Sequence, residues 1–559
     1  MNKKICVCLA ALVATSSGMQ AWGQSETLAV GIAAQQESRG SARYQALSGA
    51  LGAVGADFSS VHQNPAGIAL FRTGSKLSLT GVYTGALGRS MWGENTFSER
   101  NNLYTVDEMS YMNSWTTGSG MSFTFGFGIQ NGGRFRRTLD ASRSLSHKGG
   151  FSLADYASAV LNGGDPFVEK GEITSKGFNS RAPWIGVLGH EAGWVDFDDK
   201  DKVYASAFAF DDNDGKGIMN EGPRSVGLRM EESGSLTHYD IAFGFRPSSL
   251  FSLGMVLTIS DLDYSVYSSY SEGFRKRPKF GDTYGLSLDN TMDVHGGGVR
   301  FALGMLLEPI DGLRLGASVY TPMAYSLKID HWARATGVSP TFADKKGAFD
   351  VKTPTSAANS FGLRSPWRFG LSGAYVLDRR AILSVDYEYS TLSGTRLYAV
   401  YDEGYDGGDE AYKMDNDAIK SDFGGSGRHT LRLGLEVNVT NRFALRGGYR
   451  FTSAQGIDSS LVSEVPTLEA LVPGTFVHYR LPGAINALSL GLGYRLSPNW
   501  TLDIAYVHQR QSNMVQPFPF IRDQRIYTPG GEKTAVKPVP RIDEDQLRNQ
   551  VAVTLNYRF

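Results

Sequence analysis

The end of the chain alternates between two kinds of side chain. Counting back by twos from the last residue gives an apolar face interrupted only by Asn549, and the intervening residues form a mostly polar face. A period of two indicates a strand, and these faces suit hydrocarbon on one side and water on the other. A half-buried strand of a soluble sandwich would look much the same. The first face is Phe559, Tyr557, Leu555, Val553, Val551, Asn549 and Leu547, and the second is Arg558, Asn556, Thr554, Ala552, Gln550 and Arg548.

Repetition of this pattern favours the membrane barrel over the sandwich. Alternating runs recur along the chain and are joined in pairs by short turns, with longer polar segments between the pairs. The runs number fourteen, and a single-chain bacterial barrel needs an even number of strands. We therefore predict an all-β fold, a 14-stranded antiparallel transmembrane β-barrel with short periplasmic turns and long extracellular loops. The predicted strands are residues 76–92, 103–117, 121–139, 226–246, 251–267, 290–309, 313–331, 359–377, 383–389, 431–439, 443–451, 487–496, 500–507 and 545–559.

The start of the chain predicts its compartment. Residues 1–23 have two lysines, an apolar middle and a small-x-small site at Ala21-Trp22-Gly23, which are the parts of a secretory signal peptide. Both cysteines, Cys6 and Cys8, lie in this segment, so disulfides, thiol catalysis and cysteine metal sites are excluded from the mature chain. We expect the mature protein in the outer membrane of a Gram-negative cell.

The remainder divides into two parts. Residues 24–75 are rich in Gly, Ala and Ser and lack strand alternation, so we predict a small, partly helical plug, or hatch, in the lumen. Residues 76–559 form the predicted barrel, whose inward charges would meet water or the plug. Those charges are Arg368, Asp386, Glu388, Arg432, Glu436, Arg446 and Arg450. The long extracellular loops are predicted at 140–225, 332–357, 401–427, 454–484 and 514–544.

Charge and hydropathy exclude other classes. Without the two lysines of the signal, the chain has 53 basic and 56 acidic residues, so no basic excess points to nucleic acid. After the signal no apolar stretch approaches the ~20 residues of a transmembrane helix. The composition, with 30 Phe, 26 Tyr and 66 Gly, suits a large all-β membrane protein.

The segment before the first predicted strand resembles a known plug. It reads Ala56-Asp57-Phe58-Ser59-Ser60-Val61-His62-Gln63-Asn64-Pro65-Ala66-Gly67, which is similar to the plug sequence of the FadL/TodX family of outer-membrane transporters for long-chain fatty acids and other hydrophobic compounds. The aromatic terminus Phe559 resembles the terminal signal of bacterial outer-membrane barrels. The resemblance covers plug, strands and terminus, and so nearly the whole chain.

The resemblance implies passive uptake of a hydrophobic small molecule. In that family the ligand is captured by outer loops, passes an apolar pocket above the plug, and leaves sideways into the bilayer beside a kinked third strand. Asn64, Pro65 and Ala66, with Asp57 nearby, are the expected plug or gate residues, although Asn and Pro also serve as ordinary turn formers. Glycine permits a kink or bulge in a strand, but small residues could also make room for the plug. The glycines of the third predicted strand are Gly126, Gly128, Gly132 and Gly133.

Other chemistry has weaker support. Residues 210–221 place Asp212, Asp214 and Glu221 as in a calcium loop, but Phe210 stands where Asp is expected, so a solvated acidic loop is favoured. Another acidic loop contains Asp402, Glu403, Asp406, Asp409 and Glu410. No histidine pair has metal spacing, and no nucleophile elbow is found.

We therefore predict a monomeric transporter and not an enzyme, with no cofactor and no metal. Its partners would be a hydrophobic small-molecule ligand and outer-membrane lipid. The alternative is a barrel that only displays its outer loops, for adhesion or for capture of a ligand such as haem. The sequence does not identify the ligand.

Overall fold

The computed structural model describes residues 39–72, 74–145, 150–162, 168–180, 182–199, 202–211, 218–220, 222–274, 285–339, 347–354, 359–378, 380–399, 427–454, 475–519 and 539–559. The signal segment lies outside this range. Among the described residues, no helix is long and apolar enough to cross a membrane. The strands are β1 Gly74–Trp92, β2 Asn95–Thr116, β3 Ser122–Arg134, β4 Arg137–Ser144, β5 Val195–Asp198, β6 Val203–Ser206, β7 Ala209–Asp211, β8 Ile218–Asn220, β9 Ser225–Arg246, β10 Phe251–Gly273, β11 Gly285–Ile310, β12 Leu313–Tyr320, β13 Ala324–Ser339, β14 Gly347–Lys352, β15 Asn359–Arg364, β16 Arg368–Leu377, β17 Ala381–Ser390, β18 Arg396–Ala399, β19 Arg428–Asn438, β20 Phe443–Thr452, β21 Tyr479–Arg495, β22 Trp500–Gln516 and β23 Ile542–Arg558.

These strands close into a barrel because the first pairs with the last. The antiparallel ladder between β1 and β23 runs from Lys76↔Arg558 to Met91↔Asp543. The wall has fourteen staves, a stave being one crossing of the barrel. Four staves are each built from two strands, namely the third (β3 and β4), seventh (β12 and β13), eighth (β15 and β16) and ninth (β17 and β18). The predicted fold class is confirmed.

An apolar belt surrounds the lower part of the barrel, next to the short turns. On β10 the outward residues Leu253, Met255, Leu257 and Ile259 are 39–47% exposed. The predicted outer faces of β17, β19, β20, β22 and β23 also carry exposed Leu, Val, Ile, Phe and Tyr side chains. Such a belt matches the hydrocarbon layer of a bilayer. The chain is therefore a transmembrane β-barrel of the outer-membrane type.

Above the belt the polarity of the wall inverts. In β10 the outward residues become Asp261 and Asp263, while Leu262 and Val266 face inward and are 1% exposed. A barrel strand needs about 9–11 residues to cross the hydrocarbon, whereas β10 has 23. The upper half of the wall thus stands outside the bilayer, with water around it and an apolar surface within. The sequence analysis predicted β10 only as a strand over 251–267 and did not identify this inversion.

Three neighbouring staves break at one place. The seventh stave is interrupted at residues 321–323, the eighth at 365–367 and the ninth at 391–395, where a 3-10 helix spans Leu392–Gly394. Pro322 and Pro366 lie in the first two breaks, and proline cannot donate to a ladder. Residues Met323 and Ser365 bridge the seventh and eighth staves, because Met323 N donates to Ser365 Oγ at 2.9 Å and Ser365 N donates to Met323 O at 3.0 Å.

A folded cap occupies the predicted loop 140–225. Its helices are α2 Leu153–Asn162, α3 Lys170–Lys176 and α4 Trp184–Glu191, with a 3-10 turn at Gly177–Asn179 and the hairpins β5–β6 and β7–β8. Glu272 of β10 accepts a hydrogen bond from Leu153 N at 3.0 Å, at the start of α2. Trp194 donates to the Thr336 carbonyl of β13 at 2.8 Å. The cap is thereby fixed on the upper inner wall, within one buried apolar cluster.

The plug lies inside the ring of strands. It consists of α1 Ala42–Ala46 and two 3-10 helices, Phe58–His62 and Pro65–Leu70. Tight turns separate them, with Gly49 and Gly55 at positive φ, where a side chain would be strained. The short-helix prediction for this segment is confirmed for the part that is described.

Charged side chains on the lumen wall pair with one another and with the plug. Glu436 accepts hydrogen bonds from Arg43 of the plug at 2.8 Å and from Arg446 of β20 at 2.7 Å. Arg446 also donates to Asp503 at 2.6 Å, and Asp386 accepts from the Gly52 amide at 2.8 Å. A buried charge is costly unless it is paired and hydrogen-bonded. The predicted lumen position of these charges is confirmed.

The strands extend further than the sequence prediction. β2 begins at Asn95, where residue 103 was expected, and β21 begins at Tyr479, where residue 487 was expected. β13 continues to Ser339 and gains the extra hairpin strand β14 inside the predicted loop 332–357. Likewise β22 ends at Gln516 and β23 begins at Ile542, both inside the predicted loop 514–544. The added strand residues lie in the upper wall. There the apolar side chains face inward and the polar ones outward, so the sequence did not show the pattern expected of a membrane strand.

The fit between plug and wall gives a test. A Cβ on Gly128 would stand 2.1 Å from Phe58 Cε1 of the plug, whereas a Cβ on Gly81 of β1 meets nothing within 4 Å. Overpacking a filled core costs about 1–3 kcal/mol. We expect Gly128→Ala to lower the unfolding free energy in bilayers by that amount and to make the plug sensitive to protease. Gly81→Ala should change neither property. Equal stability of the two variants would contradict this seating of the plug.

Candidate functional site

The hydrogen-bonded wall is incomplete between β2 and the third stave. Their ladder runs from Thr116↔Ser122 at the lower end to Glu108↔Gln130 and stops there. Above that pair, residues 95–107 of β2 continue to pair with β1, and in the described part of the chain they have no ladder on their other side. The third stave itself stays paired with β9. We call this place the third-stave break.

The break has two causes, a β-bulge in β3 and two consecutive residues of the third stave that belong to no strand. The register of β3 against β9 shifts between Asn131 and Gly133, and residues 135–136 belong to no strand. Gly132 lies so close to His238 that a Cβ there would stand 2.3 Å from the imidazole Nε2. An extra residue in a strand bends it and re-aims its neighbours. The ladder to β2 ends at this bulge, although β4 approaches β2 again at its upper end, where Asn95 Nδ2 donates to the Ser142 carbonyl.

Buried polar groups line the lower edge of the break. Asp107 of β2 accepts hydrogen bonds from Arg39 at 3.1 Å, from Asn131 at 3.1 Å and from Thr105 at 2.7 Å. Its neighbour Glu108 accepts from Gln130 at 3.0 Å and from Ser59 of the plug. The first described plug residue is thus joined to the strand edge at which the wall opens.

An apolar surface inside the barrel reaches the same place. Phe135, in the interruption of the third stave, is 3% exposed and packs edge-on against Tyr264, with 5.0 Å between ring centroids. Both belong to a cluster that spreads over neighbouring staves above the plug, which we call the inner-wall cluster. Its members are Phe135, Leu236, Leu262, Tyr264, Val266, Met292, Val294, Met323, Tyr325, Leu327, Ile329 and Leu363.

The predicted residues Asn64, Pro65 and Ala66 lie in the plug against β10 and β11. Asn64 caps the second 3-10 helix by accepting from the Ala66 amide at 3.0 Å, and it donates to the Met305 carbonyl of β11 at 3.0 Å. Side chains at Gly254 and Gly304 would collide with this segment, since a Cβ would stand 2.2 Å from Pro65 O and 2.0 Å from Asn64 Oδ1 respectively. The segment is held by shape and by hydrogen bonds together.

Asp57 lies on another side of the plug. It caps the first 3-10 helix through the Ser59 amide at 3.1 Å and accepts from the Ser41 hydroxyl at 3.0 Å. Burial raises the pKa of this carboxyl, but Lys76, at 3.6 Å, and Arg43 more than offset burial and bring the pKa below the usual range. Asp57 therefore holds the plug as a charged group.

The four predicted glycines fall into two pairs. Gly126 and Gly128 lie where β3 is regularly paired on both sides, and their inner faces are filled by Phe58 and Ile68 of the plug. They make room for the plug, which was the alternative considered from sequence. Gly132 and Gly133 lie at the bulge. The structure thus brings the second pair, and not the first, to the third-stave break.

Two arginines lie together on the lumen wall above the plug: Arg368, which the sequence analysis predicted as an inward charge, and Arg300, which it did not single out. Arg300 of β11 and Arg368 of β16 flank the ring of Tyr320, with guanidinium carbons 5.3 Å and 4.3 Å from its centroid. Tyr320 donates to the Val61 carbonyl of the plug at 2.8 Å. Arg368 is 3.6 Å from Glu388, but no described residue accepts a hydrogen bond from Arg300, whose Nε is buried. Tyr320 and Arg368 end and begin strands at the breaks of the seventh and eighth staves, so no local motif could have indicated the pair.

Metal binding receives no support from the described part of the chain. No group of three or more His, Cys, Asp or Glu side chains there could hold a metal ion. Of the predicted calcium loop 210–221, only the strand ends of the β7–β8 hairpin are described. Its acidic centre and the acidic loop 402–410 lie outside the described residues.

Comparison with known proteins finds relatives only among solved structures. No family model and no curated protein matches the chain. A Pseudomonas aeruginosa FadL homologue matches with 13% identity and a TM-score of 0.48, over 94% of this chain and 99% of that one. The P. putida toluene transporter TodX matches with 11% identity and a TM-score of 0.44, over 93% and 99%. The monoaromatic hydrocarbon channel CymD matches with 10% identity and a TM-score of 0.43, over 93% and 97%.

The names of these structures include those of the family that the plug residues resemble. Their identities and scores are too low to indicate what this chain carries.

Proposed function

We propose that this protein is an outer-membrane channel for the passive uptake of hydrophobic small molecules, among them long-chain fatty acids. The ligand is held against the inner-wall cluster, the plug acts as a gate, and the exit is sideways through the third-stave break. The observation that carries the proposal is the position of Phe135. It belongs both to the apolar inner wall and to the interruption of the stave where the ladder to β2 ends.

A sideways exit suits an apolar ligand physically. Moving along the barrel axis would take it past the charges that hold the plug, such as Arg43 and Glu436. Moving through the lowest part of the break, at the top of the apolar belt, would return it to hydrocarbon, which is favourable by about 0.8 kcal/mol for each CH₂ removed from water. On β2 the outward residues beside the break are Tyr104 and Val106, exposed by 81% and 60%. An apolar ligand would therefore meet apolar side chains on leaving, and no energy source is needed.

The unpaired Arg300 favours an acid over a neutral hydrocarbon. Its guanidinium lies near Tyr325, a member of the inner-wall cluster, and near Asp240 of β9. A charged donor without an acceptor in a low-dielectric lumen is unfavourable, and a carboxylate is the acceptor it fits best. We therefore place the carboxylate of a fatty acid at Arg300 and its chain along the inner-wall cluster.

A reversible disulfide bond across the third-stave break, which we call a staple, tests the exit. Asn95 Nδ2 of β2 donates to the Ser142 carbonyl of β4 at 2.9 Å, so cysteines at these positions lie close together in a mature chain that otherwise has none. We expect the oxidised Asn95→Cys/Ser142→Cys protein to lose most fatty-acid uptake, because the two sides of the break cannot separate, and to regain it on reduction.

The control staple is Ser512→Cys/Asp545→Cys, which joins the regular ladder of β22 and β23, where the two side chains already touch at 2.5 Å. It should leave uptake unchanged in both redox states. Undiminished uptake through the oxidised staple at the break would refute a sideways exit that needs the break to widen.

A plug variant tests the gate. Asn64→Ala removes both the cap of the second 3-10 helix and the bond to Met305, each worth about 1 kcal/mol. We expect leakage of a small polar solute into cells and altered fatty-acid uptake at equal surface amounts. Ser119→Ala, which removes an exposed bond in a lower turn, is the control and should not leak. An Asn64→Ala barrel that stays tight and transports normally would remove the plug from the gating role.

The headgroup assignment has its own test. Arg300→Gln removes the charge and should reduce uptake of a long-chain fatty acid about tenfold, since a hydrogen bond to a charged group is worth about 1.5–3 kcal/mol. Uptake of the alcohol of the same length should be unchanged. Arg334→Gln, on the outer wall, is the charge-matched control. Equal losses for acid and alcohol would contradict a carboxylate at Arg300 while leaving the channel in place.

A further inference from the structure

The outer surface just above the apolar belt is basic on one side of the barrel. On β22, β1 and β2 the belt ends at the outward tyrosines Tyr506, Tyr83 and Tyr104. The first charged outward residues above those tyrosines are all arginines, and each is exposed. We call Arg89, Arg100 and Arg510 the basic rim.

The members of the basic rim adjoin one another across the sheet. Arg510 of β22 is opposite Leu547 of β23, which is opposite Leu87 of β1, which in turn is opposite Arg100 of β2. Arg89 lies two residues above Leu87 on the same face. The rim is thus a short row of cations around two half-buried leucines, directly above a row of tyrosines.

Little acidic charge balances the rim. Asp545 of β23 accepts from Arg510 at 2.8 Å and from Ser512 at 2.5 Å, and it lies opposite Arg89 in the ladder. No described residue accepts a hydrogen bond from Arg89 or Arg100. The three arginines therefore face one carboxylate, and positive charge remains for an anion at the height where lipid headgroups begin.

The opposite side of the barrel differs in charge. Above the belt, β10 presents Asp261 and Asp263 outward, and β11 presents Asp293. The cations of the seventh stave are matched locally, as Arg334 is by Asp350 at 2.5 Å and Lys328 by Asp330 at 4.0 Å. The positive charge of the rim is therefore a local feature and not a property of the whole girdle.

We infer that the basic rim binds the phosphorylated headgroup of a lipid in the surrounding outer leaflet. Arginine pairs with phosphate through two parallel hydrogen bonds, and interfacial tyrosines with apolar neighbours suit a lipid at the same spot. The occupant is a lipid and not free phosphate, because the cations stand on the lipid-facing wall above Tyr83 and Tyr104, whose rings are 4.8 Å apart.

The position of Arg100 gives this lipid a role beside the exit. Arg100 is on β2, whose other edge has no described ladder above Glu108. A lipid anchored there occupies one flank of the third-stave break. This site does not depend on the proposed transport, since it needs only the barrel and its bilayer.

The experiment uses the full-length purified protein in detergent, with lipid retention measured by native mass spectrometry. The probes are a bisphosphorylated glycolipid and its dephosphorylated form with the same acyl chains. The variant is Arg89→Gln/Arg100→Gln/Arg510→Gln. The control, Lys328→Gln/Arg334→Gln/Lys352→Gln, removes the same number of charges from the seventh stave and its hairpin strand β14, on the far side of the wall.

We expect the parent and the control to retain the phosphorylated lipid at least tenfold better than the rim variant. All three should retain the dephosphorylated lipid equally weakly. Heat-resistant migration of the barrel in gels confirms that each variant is folded. Equal retention of the phosphorylated lipid by rim variant and control would overturn the proposal. So would complete displacement of that lipid by an equimolar amount of inorganic phosphate, because the rim would then not recognise a lipid.

Discussion

The structure depends on closure of the backbone ladder within hydrocarbon. No water is present in the bilayer core to satisfy a free N–H or C=O, so a spanning sheet must leave no edge. The pairing of β1 with β23 meets this demand, and it fixes the aromatic terminus, because the Phe559 amide and the Ser75 carbonyl are joined at 3.0 Å. Because the rest of the wall is paired nearly all round, the interrupted ladder at the third-stave break calls for an explanation. The break coincides with an apolar surface that reaches the wall from inside the barrel.

The plug is compatible with the wall for two different physical reasons. On the side of β3, β10 and β11 the wall is lined by glycines, and Phe58 and Pro65 fill the space that side chains would need. On the side of β19 to β22 the plug meets charges, and Arg43 completes a chain that continues through Glu436 and Arg446 to Asp503. Shape and hydrogen bonds hold the first side, where Arg39 also pairs with Asp107 of β2 at 3.1 Å and His62 contacts Asp240 of β9 at 2.9 Å. The second side is held mainly by ion pairs.

Much of the barrel could be predicted from sequence, because period-two alternation is a direct consequence of strand geometry. The fourteen staves, the outward faces of β17, β19, β20, β22 and β23 and the inward charges all follow from it. The inversion at Asp261 was also present in the sequence, as the point in β10 where apolar residues change from odd to even positions. The sequence analysis recorded this run only as a strand and did not use that change. The cap was missed for a different reason, since its helices are short and are held by contacts with the distant strands β10 and β13.

The site was harder to predict because its parts meet only in three dimensions. The glycines of β3 are alike in sequence, and only the opposing residues separate them: Phe58 faces Gly128, while His238 faces Gly132 at the bulge. Arg300 and Arg368 come from strands separated by the seventh stave, and Pro322 and Pro366 break the seventh and eighth staves beside Tyr320 and Arg368. No spacing in the sequence indicates that Arg300, Tyr320 and Arg368 come together in the fold.

Apolar and charged groups follow one another along a single route from the upper lumen to the third-stave break. The upper lumen is apolar at Leu262 and Val266, the floor above the plug carries Arg300, and the wall is unpaired beside Phe135. In the transport that we propose, an amphiphile satisfies the cation with its head while its chain stays on the inner-wall cluster, which reaches the break at Phe135. The chain would then re-enter hydrocarbon before the head is released, so that the apolar part is not exposed to water during transfer. This order of events follows from the positions of the guanidinium and of the break.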